Sequence, residues 1–379
     1  MVRPQAVAPN LEKLLAELVA VDSTSTLPNA PVLDVLEPRL KALGLTTERH
    51  RYRDEQGVEK ANLIATNGGG HPELALVGHS DCVPYDKTWA EALTLTERDG
   101  KLYGRGSCDT KAFVACTVTA LERTKGRLSK PLLVCFTADE EVGCYGAKQL
   151  VGAGKARSRR CIIGEPTSLV PIRGNKGYCL AELEFRGKEG HSAYPESGAS
   201  AIFRAARFLT RLEAYALGEL RTVGDPRFEP PFTTVNTGVI AGGKAKNIIP
   251  GECRVTLEWR PIPSQPVEHV LTALKGIEAA CRAEDPGFSL TVKPLRMDRG
   301  FETAAEAEVV KFLEVESGNP SSTVAFGTEG PQMTELGSVP VVFGPGDIKN
   351  AHQTGEFVPK AELHRCAEVL ERALLKFCA

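Results

Sequence analysis

Short apolar segments that end in an acid or a histidine are the feature that most constrains the fold of this chain of 379 residues. They occur at residues 74–78 before His79 and Asp81, at 132–137 before Glu140 and Glu141, and at 161–164 before Glu165. A continuous apolar segment of this length is typical of a strand that is covered on both faces. Helical periodicity between these segments, as in residues 109–123, indicates an α/β sheet. We therefore expect a functional site at the carboxyl ends of its strands.

The chain is longer than one hydrophobic core usually supports, which favours two domains. From about residue 177 the pattern becomes strand, helix, strand, strand, helix, strand, at residues 179–185, 199–212, 234–240, 252–260, 267–283 and 289–293. This order is the split β-α-β arrangement of ferredoxin-like domains. We therefore predict an α/β catalytic domain formed by residues 1–176 and 295–379, with an α+β domain of residues 177–294 inserted in it.

Both ends of the chain have helical patterns. Asn10 is expected to cap an amphipathic helix that begins at Leu11, and Pro359 is expected to open a C-terminal helix. Charged residues in the first helix interrupt its apolar sequence, which argues against a signal-peptide core, and no segment approaches the length of a membrane span. A membrane partner is therefore not expected.

The net charge and the cysteines restrict the class of protein further. A formal net charge of −2 provides no basic surface for nucleic acid. The 11 cysteines are scattered through apolar segments without C-x-x-C spacing, which favours reduced, buried thiols over a disulfide framework. These features predict a cytoplasmic protein.

Imidazole nitrogen and carboxylate oxygen are ligands that zinc prefers, and a set of them follows the predicted strands. The set comprises His79, Asp109, Glu140, Glu141, Glu165 and His352, with Asp81 close to the first histidine. Two residues after His79, the Asp81 carboxylate is placed to accept the imidazole N–H that a metal does not use. Adjacent acids divide the work of metal-assisted hydrolysis, since one binds the ion and the other takes a proton from the attacking water. Taken singly, these residues have simpler interpretations, such as a helix N-cap for Asp109.

Five motifs together resemble the metallopeptidase family M20. They are residues 78–84 (GHSDCVP), 104–111 (GRGSCDTK), 139–143 (DEEVG), 164–167 (GEPT) and 351–356 (AHQTGE). The resemblance extends over nearly the whole chain. Within the family the pattern is most similar to the acetylornithine deacetylases, and succinyl-diaminopimelate desuccinylases and aminoacylases are neighbours.

The resemblance implies a role for each residue of the set. One zinc ion would be held by His79, Asp109 and Glu165, and a second by Asp109, Glu141 and His352, so that Asp109 bridges the two. Glu140 would be the general base and Asp81 would orient the first histidine. Cobalt or manganese is also accepted by ligands of these types.

The resemblance also implies functional residues in the inserted domain, which would serve for dimerisation and as a lid. His191 matches a histidine that reaches across a homodimer interface and stabilises the oxyanion, although a lone loop histidine is otherwise a surface residue. Asn247, Arg260 and Thr328 match positions near bound substrate. Arg260 is suited to bind a carboxylate, and a strand-end ion pair is the alternative.

Together with the ligand set, the resemblance implies a homodimeric amidase with two zinc ions that removes an acyl group, most simply acetyl, from an amino acid such as N-acetylornithine in arginine biosynthesis. Alternatives within the family are activity on N-acetylcitrulline, on succinyl-diaminopimelate or on other N-acyl amino acids, or dipeptidase or carboxypeptidase activity. A metal-free scaffold protein is the alternative from another class, but a scaffold has no need of an unligated Glu140. Cys82 and Cys108 flank the metal motifs and raise the question of a redox role.

Overall fold

A computed structural model describes residues 11–379, which form two compact units. The first unit contains the described residues up to Arg173, together with Thr303–Ser322 and Thr328–Ala379. The second contains Gly174–Glu302 and Thr323–Gly327. The segment that we predicted as an insertion, residues 177–294, lies within the second unit.

The first unit alternates helices and strands. Its N-terminal part contains α1 (Leu11–Val19), α2 (Ala30–Ala42), β1 (Thr46–Arg53), β2 (Glu59–Thr66), β3 (Leu74–His79), β4 (Thr96–Arg98), β5 (Lys101–Tyr103), α3 (Lys111–Thr124), β6 (Leu132–Thr137), α4 (Tyr145–Ala153) and β7 (Arg160–Ile163). Strand β8 (Ile172–Asn175) then crosses the boundary between the units along the chain.

The main sheet of this unit places its strands in the order β1-β2-β6-β3-β7. Strand β3 is parallel to β6 on one side and to β7 on the other, whereas β1 and β2 are antiparallel additions. Every residue of β3 and of β6 is buried, as their unbroken apolar sequences predict. Helices α1 and α3 contribute Leu14, Leu18 and Phe113 to the core of this unit.

The second unit contains β9 (Tyr178–Arg186), β10 (Gly190–His191), α5 (Ala201–Leu217), β11 (Thr234–Gly242), β12 (Ile248–Ile249), β13 (Glu252–Arg260), α6 (His269–Glu284), β14 (Ser289–Asp298) and β15 (Phe301–Glu302). Its antiparallel sheet has the order β11-β13-β9-β14, and the long elements follow one another as β-α-β-β-α-β. Burial alternates along β9, so one face of the sheet packs on a core that includes Phe185, Phe208 and Phe288. Strand β14 runs on to Asp298, beyond the residue 293 that we expected.

The chain then returns to the first unit. It adds α7 (Glu308–Ser317), β16 (Ser322–Val324), which also crosses the boundary along the chain, α8 (Gly330–Glu335), β17 (Val339–Val342), β18 (Phe357–Pro359) and α9 (Lys360–Cys378). Strand β17 extends the main sheet by parallel pairing with β7. Helix α9 begins directly after Pro359 as predicted, whereas the predicted cap Asn10 lies outside the described residues.

Two further observations concern the described residues as a whole. None of their helices combines the length and the apolar character that crossing a bilayer requires. All 11 cysteines lie among them, and each is a buried free thiol.

Candidate active site

The ends of three adjacent parallel strands bring the predicted metal ligands together. His79 is the last residue of β3, and Val77 of the same strand pairs with Cys135 on β6 and with Ile163 on β7. Because the carboxyl ends of these strands share one sheet edge, the residues that follow β6 and β7 lie beside His79.

Asp109 lies between the two predicted histidine ligands. Its Oδ1 is 2.9 Å from His79 Nε2, and its Oδ2 is 3.2 Å from His352 Nε2. The same His352 nitrogen is 3.0 Å from Glu141 Oε2. A carboxylate with one oxygen toward each of two imidazoles is arranged as a ligand shared between two cations would be.

Two groups of donor atoms in the described residues are close enough to hold metal ions. One consists of His79, Glu140 and Glu165, and the other of His79, Asp109 and Glu141, with the ligand atoms of each group within 4.8 Å of one another. The donor types, imidazole and carboxylate, suit zinc and related ions. Both groups contain His79, and His352 joins them through its contacts with Asp109 and Glu141. With those contacts the residues present fit a pair of divalent cations. Proximity alone also allows Glu140 to be a ligand, so its separate role is a proposal.

The electrostatics of the site favour a bound cation. Burial raises the pKa of Glu140 to about 8 and that of Glu141 to about 7, and the neighbouring carboxylates add to both shifts. Burial also raises the pKa of Glu165 well above its ordinary value, with Asp109 as the next cause. The hydrogen bonds that the His352 ring donates to the carboxylates of Asp109 and Glu141 raise its pKa to about 10. Buried acids that resist ionisation are what a bound cation would stabilise as carboxylates.

Asp81 differs from our expectation in the atom that it offers to His79. The imidazole Nδ1 lies 3.0 Å from the backbone carbonyl oxygen of Asp81, whereas the nearer carboxylate oxygen is 3.7 Å away. The carboxylate instead accepts hydrogen bonds from the Ser25 hydroxyl and from the backbone N–H groups of Glu140 and Glu141. Asp81 thus orients the histidine through its main chain and the acidic loop through its side chain.

Glu356 supports the segment that carries Asp109, a role that the sequence did not reveal. Its Oε1 accepts the backbone N–H groups of Cys108 and Asp109, at 2.9 and 3.0 Å, and its Oε2 is 2.5 Å from Arg105. Glu356 is also four residues after His352. The buried Arg105–Glu356 pair therefore connects the segment of Asp109 with the segment of His352. Arg105 and Glu356 both lie in motifs found in the sequence, GRGSCD and AHQTGE, but only the fold shows that they are in contact.

The proposed base, Glu140, has a thiol as a close neighbour. The Cys144 thiol donates a hydrogen bond to Glu140 Oε1, and its Sγ lies 3.4 Å from that oxygen. By contrast, burial raises the pKa of Cys82 to about 11 and that of Cys108 well above its ordinary value. The thiols of Cys82 and Cys108 are therefore held protonated, which does not favour reactive thiolates.

The predicted substrate residues have partners of their own. The Thr328 hydroxyl accepts the backbone N–H of Gly330 at 3.1 Å, at the start of α8. In the second unit, Arg260 donates to Glu258 and to the carbonyl of Ala325, which is the strand-end ion pair we gave as the alternative. Substrate binding by these two residues remains a prediction.

His191 and Asn247 lie close together within the second unit. Strand β10 pairs with β12, with His191 opposite Ile248, and the Asn247 carbonyl accepts the backbone N–H of Ser192. The His191 Nδ1 accepts the backbone N–H of Ala193 at 3.1 Å. In the neutral ring the proton is then on Nε2, which makes that exposed nitrogen a hydrogen-bond donor.

Comparison with known proteins identifies the family. Residues 75–376 match Peptidase family M20/M25/M40. The chain belongs to this family. An acetylornithine deacetylase of Myxococcus xanthus is 59% identical over 98% of each chain, and one of Proteus mirabilis is 34% identical over 95% of this chain and 93% of its own length. A tripeptidase of Staphylococcus aureus has the same fold, with a TM-score of 0.78, 25% identity and coverage of 97% of this chain and 98% of its own. The family and these relatives identify the protein as a hydrolase of amide bonds.

Proposed function

We propose that the protein is a two-zinc acetylornithine deacetylase, which releases ornithine and acetate in the cytoplasm for arginine biosynthesis. The observation that carries this proposal is the position of Asp109 between His79 and His352, with Glu140 beside them. The 59% identity to an acetylornithine deacetylase supports the choice of substrate.

The proposed ligands are His79, Asp109 and Glu165 for one ion, and Asp109, Glu141 and His352 for the other. When bound, such ions lower the pKa of a water molecule and polarise the amide carbonyl. Glu140 takes a proton from the attacking water and delivers it to the departing amine. The Asp81 carboxylate holds the backbone of Glu140 in place during both transfers.

His191 is proposed to donate from Nε2 to the oxyanion of a site in a second copy of the chain. Its Nδ1 contact with Ala193 keeps the donor proton on the outward nitrogen. An arrangement of this kind makes the homodimer necessary for activity.

The second unit offers a surface for this self-association. Strand β11 is an edge strand of its sheet, and its Val239 and Ile240 are 61% and 54% exposed. On α5, Ile202 and Phe203 are exposed as well. Exposed apolar side chains beside an unpaired strand edge favour association with another chain, and a second copy presents the same surface to a two-fold axis.

Mixing two inactive variants tests the exchange of His191 between subunits. Glu140→Ala and His191→Ala homodimers, mixed under conditions that exchange subunits, are expected to regain roughly a quarter of the wild-type rate, since half the dimers are mixed and each has one intact site. A mixture of Glu140→Ala with Asp109→Asn is the control, because both changes affect the subunit's own metal centre and every site stays damaged. No gain above the control would contradict action across the interface.

The substrate assignment is tested with a panel of compounds. The zinc-loaded protein is assayed with N-acetylornithine, N-acetylcitrulline, N-succinyl-diaminopimelate, N-acetylmethionine and a set of dipeptides. We expect the highest kcat/KM for N-acetylornithine. Cleavage of the peptides alone would contradict the proposal and favour a peptidase.

A further inference from the structure

A lysine that the proposed chemistry does not use is buried behind the acidic loop. Lys60 lies on β2, and its side chain is 0% exposed. Its Nζ donates to the carbonyl oxygens of Ser25 and Leu27 at 2.6 and 2.8 Å, and it is 2.9 Å from Asp139 Oδ1. A buried ammonium is costly unless it is paired and hydrogen-bonded, so each of these contacts holds Lys60 in one place.

Lys60 contacts Asp139, the residue directly before Glu140. The backbone φ of Asp139 is +57°, in the left-handed region that side chains other than glycine adopt at a cost. One carboxylate oxygen faces Lys60, and the other accepts the Tyr52 hydroxyl at 2.7 Å. Asp139 directly precedes Glu140, so its backbone conformation sets the direction of the Glu140 side chain. The two contacts of Asp139 therefore help to position the Glu140 carboxylate.

The same lysine reaches the acidic loop by a second route. Ser25, whose carbonyl binds Lys60, donates its hydroxyl to Asp81 Oδ2 at 2.9 Å. The Asp81 carboxylate in turn accepts the backbone N–H of Glu140. Lys60 therefore supports the loop from both sides, through Asp139 and through Ser25 with Asp81.

We propose that Lys60 is a positioning residue for catalysis: it holds Asp139 and the Ser25 loop so that Glu140 is aimed at the attacking water. This inference rests on the proposed role of Glu140 as the base. It predicts that removal of the lysine lowers kcat, because a small displacement of a general base slows proton transfer strongly. KM and metal binding are expected to stay unchanged.

The surroundings of Lys60 allow a direct chemical test. A cavity of about 500 Å³ is lined by residues that include Ser25, Tyr52, Asp54 and Asp139, three of which lie within 4.0 Å of the lysine Nζ or bind it. Truncation to alanine leaves a space beside this cavity with the shape of propylammonium. An amine from solution can then replace the missing group, whereas 1-propanol provides the same length without the charge.

The experiment compares Lys60→Ala with the unaltered protein. The substrate is whichever N-acyl amino acid or dipeptide the unaltered protein hydrolyses, so the test does not depend on the proposed substrate being N-acetylornithine. We expect kcat to fall by about tenfold or more, with unchanged KM and metal content, and to recover in a saturable manner with propylammonium but not with 1-propanol. Lys176→Ala is the matched control, since Lys176 is a buried lysine held by the carbonyls of Pro230 and Phe232 in the other unit. Propylammonium should not accelerate that variant.

Two results would overturn the inference. One is an unchanged kcat per folded molecule in Lys60→Ala, and the other is a loss of activity that follows loss of metal or of folded protein and that propylammonium does not restore. If Lys60→Ala does not fold, Tyr52→Phe removes only the second contact to Asp139. It should lower kcat at constant KM, and an unchanged kcat would count against the proposal.

Discussion

Replacing Glu140 by glutamine is expected to lower kcat by about 100- to 10,000-fold, the usual contribution of a general acid-base group. Glutamine preserves the shape of the side chain but accepts no proton from water. Because five other residues are the proposed ligands, the variant should still bind two metal ions per chain. Stopped assays with N-acetylornithine, together with metal analysis of the same sample, measure both quantities.

The matched control for this prediction is Glu335→Gln, which changes an exposed carboxylate at the end of α8 in the same unit. It should leave both turnover and metal content unchanged. A Glu140→Gln protein with wild-type turnover would show that another group moves the proton. Loss of one metal ion instead would identify Glu140 as a ligand, which the proximity of Glu140 to His79 and Glu165 permits.

Replacing Asp109 by asparagine is expected to remove both metal ions and all measurable activity. The two oxygens of Asp109 face His79 and His352, so one substitution weakens both proposed ion sites. Loss of an outer partner of a metal ligand commonly costs about 10- to 100-fold in affinity or activity, and loss of a shared direct ligand should cost more. Calorimetric titration of the metal-free variant with zinc measures the change.

Asp86→Asn is a suitable control, since Asp86 lies in an exposed loop of the same unit and accepts hydrogen bonds from Thr88. It should bind zinc as the unaltered protein does. If Asp109→Asn kept one tightly bound ion, Asp109 would belong to a single site, and the bridging role would be wrong.

The strands that carry the site could be predicted because the apolar residues that bury each strand are consecutive in the sequence. Strands β3 and β6 are formed by apolar segments, and the fold places His79 at the end of β3 and Glu140 after β6 as expected. Strand β1 was not predicted, because its sequence TTERHRYR is almost entirely polar and pairs only at the edge of the sheet. Hydrophobic periodicity arises from burial, and an edge strand with half-exposed faces has little hydrophobic periodicity.

The supporting contacts could not be predicted, since they join residues that are far apart in sequence. Glu356 binds the backbone of Asp109 across 247 positions, and Lys60 meets Asp139 only because β2 pairs with β6. The difference at Asp81 between the expected and the observed contact has another cause. Spacing placed the residue beside His79 correctly, but did not distinguish its carbonyl from its carboxylate, which the Ser25 hydroxyl already engages.

The central claim is that this sheet edge hydrolyses an N-acyl amino acid with two metal ions. The most direct test is to titrate metal-free protein with zinc while measuring hydrolysis of N-acetylornithine. We predict no turnover without metal and a rate that rises to its maximum as two ions bind per chain, with Glu140→Gln binding the same two ions but remaining slow. Full turnover in the presence of a strong chelator, or two bound ions without any hydrolysis of N-acetylornithine, would contradict the account.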